Sequence, residues 1–197
     1  MKKDLNNISE KIIKAILKLS NININEILPF LYGGEIVEYK KNIILKKQNQ
    51  AESHIRIIIS GVGGYFNEIN NIEKCIYFDF ENDWFFDYIS FFHNTETDIF
   101  LKTMTPTRMF ILSKKKFLEL SNQHPSIIKL QLAGIELLYK ETQDTYFDLL
   151  SLNAAERYIK LIKTRKDILQ NVDHKYIASF LGITPQSLSR LRKNIKL

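Results

Sequence analysis

The run Asp173-His174-Lys175-Tyr176-Ile177-Ala178-Ser179-Phe180-Leu181-Gly182-Ile183-Thr184-Pro185-Gln186-Ser187-Leu188-Ser189-Arg190-Leu191 constrains this chain more than any other stretch. Ala178 is small where a second helix has to cross closely. Gly182 stands four residues later, at the end of a first helix, where a left-handed residue makes the turn. Ile177, Leu181, Ile183, Leu188 and Leu191 supply apolar contacts between the two helices. Thr184 can cap the second helix, and Pro185 fits its first position, where a missing N–H is harmless. Small residue, glycine, apolar anchors, cap and proline together predict a helix-turn-helix. Leu188 and Leu191 then point inward, whereas Gln186, Ser187 and Arg190 face outward beside Thr184. A second helix of this kind enters the major groove of DNA. There Gln pairs with adenine and Arg with guanine in bidentate fashion, each good pair giving about 1–3 kcal/mol of discrimination. Lys175, Ser189, Arg192 and Lys193 are better placed for phosphates.

Charge supports the same region. The formal net charge is +6, but Lys outnumbers Arg 22 to 6 and Ile, Asn and Lys make up 67 of 197 residues. A compositional bias of that kind can raise a pI without a nucleic-acid partner. The distribution is more telling. Residues 151–197 carry 10 Lys/Arg against 3 Asp/Glu, while residues 1–150 carry 18 against 19. The whole basic surplus sits in the last quarter, which is the electrostatic footprint of a nucleic-acid-binding unit.

Ahead of it the text changes twice. Residues 1–28 read as one or two amphipathic helices, with Ile8, Ile12, Ile13, Ile16 and Leu17 at helical spacing and Pro29 ending them. Charges interrupt that apolar stripe, so it is no export signal, and no apolar run approaches the roughly 20 residues that span a bilayer; the expectation is a cytoplasmic protein. From about 30 to 112, short β-rich runs (42–45, 55–59, 75–78, 99–101 and 109–112) predict a small antiparallel barrel or jelly roll. Ser60-Gly61-Val62-Gly63-Gly64 is the strongest turn signal among them. Helical period returns at Ser113, an N-cap for a short helix. Pro125 then opens a long helix to about Leu150, along which Ile128, Ile135, Thr142 and Leu149 recur every seven residues, joined by Leu138 and Thr145. That spacing predicts a dimerisation seam. Asn153 and Glu156 form a capping-box pattern at the start of the next helix. The fold class expected is α+β: an N-terminal antiparallel β-roll with flanking helices over 1–122, a long dimerisation helix over 123–150 and a helix-turn-helix domain over 151–197.

The residues Lys40-Lys41-Asn42-Ile43-Ile44-Leu45-Lys46-Lys47-Gln48-Asn49, then Ile57-Ile58-Ile59-Ser60-Gly61, Ala155-Glu156-Arg157-Tyr158 and the helix-turn-helix itself carry a resemblance over nearly the whole chain. It resembles the bacterial cyclic-AMP receptor protein and fumarate–nitrate regulator (Crp/Fnr) family of transcription factors. The resemblance implies an eight-stranded, effector-sensing β-roll of cyclic-nucleotide-binding type, a long dimer helix and a C-terminal winged helix-turn-helix. Asn42 and Asn49 stand where the family usually has glycine, and asparagine is the next-best residue at positive φ. The chain runs only six residues past Leu191, so the β-hairpin wing that often follows the recognition helix is expected to be absent, and any hairpin must come before the motif, near residues 170–172, where the strand signal is poor. Cyclic-nucleotide-binding members hold the ribose with a glycine and a glutamate, and pair the phosphate with an arginine ten residues on. Here Phe86 replaces the glycine, Asp87 falls at the glutamate, Thr97 at the arginine and Asp98 at the following Ser/Thr. A buried phosphate without a cationic partner costs several kcal/mol, and Glu96 and Asp98 would repel it. Cyclic AMP is therefore not expected to bind in the usual way, and Trp84, Phe85, Phe86, Phe91 and Phe92 read as core filling.

The resemblance implies a non-enzyme, and no catalytic set stands out in the residues. The histidines are scattered, and the single Cys75 excludes an internal disulfide, a thiolate zinc site and an iron–sulfur cluster. Haem ligation by His54, His93, His124 or Cys75 stays open; no cofactor or metal is otherwise expected. A competing reading is a cupin-like small-molecule-binding roll whose C-terminal helices make protein contacts, but His54 and His93 lack the second nearby histidine that a metal-dependent cupin wants. Expected partners are double-stranded DNA, a second copy of the chain, RNA polymerase and a small-molecule effector of unspecified identity, with no membrane.

Overall fold

The computed structural model describes Ile13, Ile16 and residues 23–165 and 168–194. The rest of the N-terminal amphipathic stretch, with Ile8, Ile12 and Leu17, lies outside the described residues, as does Lys166. Helix α1 (Ile24–Gly33) is opened by a capping box, Asn23 accepting from the Asn25 N–H while Glu26 accepts from the Asn23 N–H. Contrary to expectation, Pro29 does not end it. The helix continues for four residues because Phe30 and Leu31 are buried in the core, and that burial outweighs the lost backbone bond.

Beyond α1 lie seven strands: β1 (Glu35–Tyr39), β2 (Ile44–Lys46), β3 (His54–Ser60), β4 (Gly63–Ile69), β5 (Ile72–Asp79), β6 (Phe100–Thr103) and β7 (Thr107–Ser113), with helix α2 (Tyr88–His93) between β5 and β6. They form two antiparallel sheets, ordered β1-β7-β3 and β2-β6-β4-β5. The alternation of β3 explains its place between layers. Ile55, Ile57 and Ile59 face a cluster with α1, while Ile58 faces Phe85, Leu101 and Met109 in a second cluster between the sheets. Asn42 (φ 66°) and Asn49 (φ 56°) hold left-handed turns, as their positions predict. Only the first glycine of the 60–64 run makes a turn. Gly61 (φ 99°) brings its α-carbon so near the Pro106 carbonyl that a β-carbon would lie 2.7 Å from the oxygen; Gly63 and Gly64 already belong to β4. Strands β1 and β4 lie outside the β-rich runs read from the sequence.

The chain then becomes helical: α3 (Lys114–Gln123), capped by Ser113; α4 (Pro125–Ser151), with proline in its first turn; α5 (Ala154–Thr164), opened by the Asn153–Glu156 capping box; α6 (Ile168–Asn171); α7 (His174–Phe180); and α8 (Pro185–Asn194). The hairpin expected near residues 170–172 is not formed. Gln170 and Asn171 belong to α6 and Val172 stands directly after it, with Ile168 and Val172 buried. Ile168 and Val172 are spaced four apart, so one helical turn puts both on the core side. No strand occurs after Ser113 among the described residues.

Replacing Gly61 with alanine should lower stability by more than about 1 kcal/mol, since the left-handed backbone and the Pro106 carbonyl both oppose a side chain. Urea denaturation measures this, and an unchanged midpoint would contradict the reading of that turn.

Candidate nucleic-acid interface and the β-roll cassette

The turn between α7 and α8 is built as its residues demand. Gly182 takes φ 70°, and the Thr184 hydroxyl accepts from the Ser187 N–H at 3.1 Å, with the Ser187 hydroxyl 3.0 Å away. Ile177, Ala178, Leu181 and Leu188 are buried, and Ile183 and Leu191 pack against them. Gln186, Ser187, Ser189, Arg190 and Lys193 are all exposed. Residues 186, 190 and 193 succeed one another at i, i+4 and i+7, on the face of α8 that turns away from Leu188. Lys175 is exposed on α7, its ammonium 4.6 Å from the Tyr176 ring. Arg192 is tied to the His174 ring.

This module is fastened to the β-roll. Phe66, Phe78, Phe80 and Phe100 share one apolar cluster with Tyr158, Ile162, Ile177 and Leu188. Strand β5 is an edge of its sheet, and at Cys75 its backbone is closed by a hydroxyl: Ser179 accepts from the Cys75 N–H at 2.9 Å and donates to the Cys75 carbonyl at 3.2 Å. Beside it, Tyr176 donates to Glu73 at 2.8 Å, and the buried Lys102 ammonium reaches Glu73 at 2.6 Å and the Tyr176 hydroxyl at 3.1 Å. Burial pushes the Glu73 carboxyl up, but the bonds from Lys102 and Tyr176 outweigh it and hold it below its ordinary value. Arg157 stitches the helices together, donating to the Leu152 carbonyl at the end of α4 and to the Leu181 carbonyl at the end of α7.

The segment from Phe86 to Asp98 departs from the expected effector pocket. Asp87 caps α2, accepting from the Ser90 N–H at 3.1 Å. The Thr97 hydroxyl donates to the same carboxylate, so these two residues do meet. Between them comes Lys46, which sequence reasoning misses. Its ammonium lies 3.1 Å from Asp87, 2.8 Å from the Thr97 hydroxyl and 2.6 Å from the Ile99 carbonyl, and both charged side chains are buried. A lysine has three protons to donate, and all three have protein acceptors here. A second buried pair, Arg56–Glu52 at 2.8 Å, stands alongside, and Glu52 also accepts from the Ser53 and His54 N–H groups. Its sequence signal is Arg56 itself, a lone charge inside the apolar run 55–59. Asp98 is exposed and belongs to no such network. Phe86 turns the other way, against Trp84, Tyr88, Phe91 and Phe92, and lines a cavity between the roll and α4.

Along α4, Ile128, Ile135, Leu138 and Leu149 are 48%, 39%, 42% and 59% exposed, and Thr142 is exposed too. The apolar residues alternating with them at four- and three-residue steps are Leu132, Tyr139 and Tyr146, which are also exposed. They continue the stripe more regularly than Leu138, which lines the cavity, or the partly buried Thr145.

No protein-family model and no curated protein matches the sequence. Solved structures do. FixK2 from Bradyrhizobium japonicum superposes with a TM-score of 0.66 at 12% identity, covering 81% of this chain and 83% of that one. The c-di-GMP-responsive global regulator CLP of Xanthomonas campestris gives 0.64 at 15%, covering 87% and 90%. The Thermus thermophilus catabolite activator protein gives 0.56 at 17%, covering 91% and 85%. The fold is that of the Crp/Fnr regulators. At these identities the likeness is one of architecture. In this chain the segment around Asp87 and Thr97 is closed by ion pairs of its own. No helix among the described residues is long and apolar enough to cross a membrane.

Two outcomes test the roles given to the buried charges. Asp87→Ala strands the Lys46 ammonium and should destabilise the protein by about 3–5 kcal/mol, most of which the double variant with Lys46→Met should recover; denaturation curves decide, and additive losses would contradict the pairing. Asp79 is fully buried, and its carboxyl accepts from the Tyr65 hydroxyl at 2.7 Å. Burial first, then the neighbouring Asp83, push it well above its ordinary value. The folded chain thus keeps a proton that the unfolded chain releases near pH ~3.9. That contribution is complete below this pH and is lost progressively as pH rises. Asp79→Asn should therefore stabilise the protein at neutral pH and give no gain near pH ~3; equal effects at both would contradict it.

Proposed function

We propose that the chain is a DNA-binding transcription regulator acting as a homodimer. Two copies pair along α4, and each presents α8 to one half-site of a two-fold operator. The carrying observation is the exposed face of α8: Gln186, Ser187 and Arg190 point outward while Leu188 and Ala178 lock the module from behind. The local surplus of basic residues over 151–197 supports electrostatic docking before base readout. The stripe 128/132/135/139/142/146/149 supports the second copy as its occupant, because its 3–4 repeat is that of a two-helix seam and a two-fold pair of reading helices needs a two-fold axis. The named regulators sharing the fold, CLP and the catabolite activator protein, favour the same role; the proposal takes RNA polymerase as the machinery acted on and the cytoplasm as its place.

In this reading the parts divide as sensor over 1–122, dimer helix over 123–150 and DNA-reading domain over 151–197, with no catalytic step. Cyclic AMP is not the effector, since the ammonium that could meet its phosphate is already engaged by Asp87, Thr97 and Ile99.

Gel-shift titration against a bound duplex and a scrambled one separates the roles on α8. Arg190→Ala should lose about 1–3 kcal/mol on the preferred sequence and little on the scrambled one. Lys193→Ala should weaken both alike and flatten the salt dependence by about one unit of slope. Equal losses from both variants on both duplexes would overturn these roles. Leu132→Asp with Tyr139→Asp should give a monomer in sedimentation; a dimer that survives would overturn the seam.

A further inference from the structure

We propose that the cavity between the β-roll and α4 is a binding site for a small organic ammonium ion carrying an apolar ring. The inference rests on reading the roll as the sensing part of a regulator, and it names the class of ligand sensed. The cavity is partly open to solvent and its lining is mostly apolar with a few polar groups, as small-molecule sites are. Its aromatic wall is Trp84, Phe86 and Tyr88, and its acidic groups are Asp79, Asp83 and Glu141; no lysine, arginine or histidine is among the described residues that line it.

Each feature selects against a different competitor. An anion would enter a space walled by the carboxyl groups of Asp79, Asp83 and Glu141, with Arg165 engaged by Asp83. A neutral hydrocarbon would satisfy the rings but not the polar wall. Asn82 Oδ1 is buried there without a hydrogen-bond donor in the protein, and an unmet buried acceptor is unfavourable. An ammonium N–H can donate to Asn82 Oδ1 and to the Asp79 carboxylate, which releases to solvent the proton that burial otherwise leaves on it and keeps the bond from the Tyr65 hydroxyl. The indole and phenyl faces attract a cation through their quadrupoles. An apolar ring on the ligand fills the remaining aromatic wall.

The cavity also reaches the DNA-reading module. Asp83, on its wall, accepts from Arg165 at 3.3 Å, and the Arg165 guanidinium lies 4.4 Å from the Phe80 ring. Arg165 caps the end of α5, its N–H donating to the Leu161 carbonyl. A ligand cation beside Asp83 therefore competes with the arginine that ties α5 to the roll.

Trp84 is the only tryptophan of the chain, so its emission reports the cavity directly. The full-length protein is titrated with benzylammonium, benzyl alcohol and benzoate, three probes sharing one ring and differing in charge, and with cyclic AMP. The expected result is saturable binding of benzylammonium with a Kd about tenfold or more below those of the neutral and anionic probes. Asp79→Asn, whose folding is checked by its cooperative unfolding, should weaken benzylammonium about tenfold and leave benzyl alcohol unchanged. Phe86→Leu should weaken benzylammonium as well. Benzyl alcohol, benzoate or cyclic AMP binding as tightly as the cation would overturn the proposal, as would no saturable change with any probe or an Asp79→Asn variant that binds the cation normally. DNA binding retained in such a case would leave the regulator reading intact. Cation binding without DNA binding would overturn that reading alone.

Discussion

The structure depends on how the open edge of the four-stranded sheet is closed. Strand β5 has a partner on one side only, so its other side exposes backbone donors and acceptors. An edge of this kind is a template for pairing with another chain. Here a helix takes that place. Ser179 on α7 satisfies both backbone groups of Cys75, and Phe66, Phe78 and Phe100 on the same sheet find their apolar cover in α5, α7 and α8. The same contact that protects the sheet sets the direction of α8, because α8 is packed on α7 and α7 on β5. Roll and helix-turn-helix are packed together, so a change in the roll has a solid path to the exposed face of α8.

A second consequence concerns charge. A β-roll of this size has room for few buried ions, and this one spends them on itself. Lys46 with Asp87 and Arg56 with Glu52 form two buried pairs. Each is locked by hydroxyl or backbone partners, as buried ions require. The Lys46 ammonium is engaged by the protein's own carboxylate, Asp87. A cavity lies instead toward α4, where the lining is aromatic and acidic.

Much of the fold is legible in the residues because the signals are local. Gly182, Thr184 and Pro185 fix a turn and a helix start within four positions, and Asn153 with Glu156 fixes another. Asn42 and Asn49 announce left-handed turns in the same way. The hidden features depend on distant partners. Lys46 looks like one surface lysine among 22 and is buried only because Asp87 and Thr97 return to it across the roll. Strand β4 opens with two glycines and turns polar, so its identity comes from pairing with β5 and β6 rather than from its own preference. Pro29 reads as a stop, and tertiary burial of Phe30 and Leu31 carries the helix through it. Residues 170–172 read as part of a hairpin, and the burial of Ile168 and Val172 makes one helical turn instead. On α4 the seven-residue spacing of Ile128, Ile135, Thr142 and Leu149 is legible, and the exposed residues that continue it lie four residues on, at Leu132, Tyr139 and Tyr146.

In the proposed function α8 is offered to a DNA groove in a symmetric pair. Selection of bound duplexes from a random pool by the full-length protein, followed by footprinting of the winners, tests it most directly. The prediction is an inverted repeat whose two major-groove contacts lie about 34–36 Å apart, one helical turn centre to centre. Selected duplexes with no inverted repeat, or a pool that yields no enrichment at all, would contradict it.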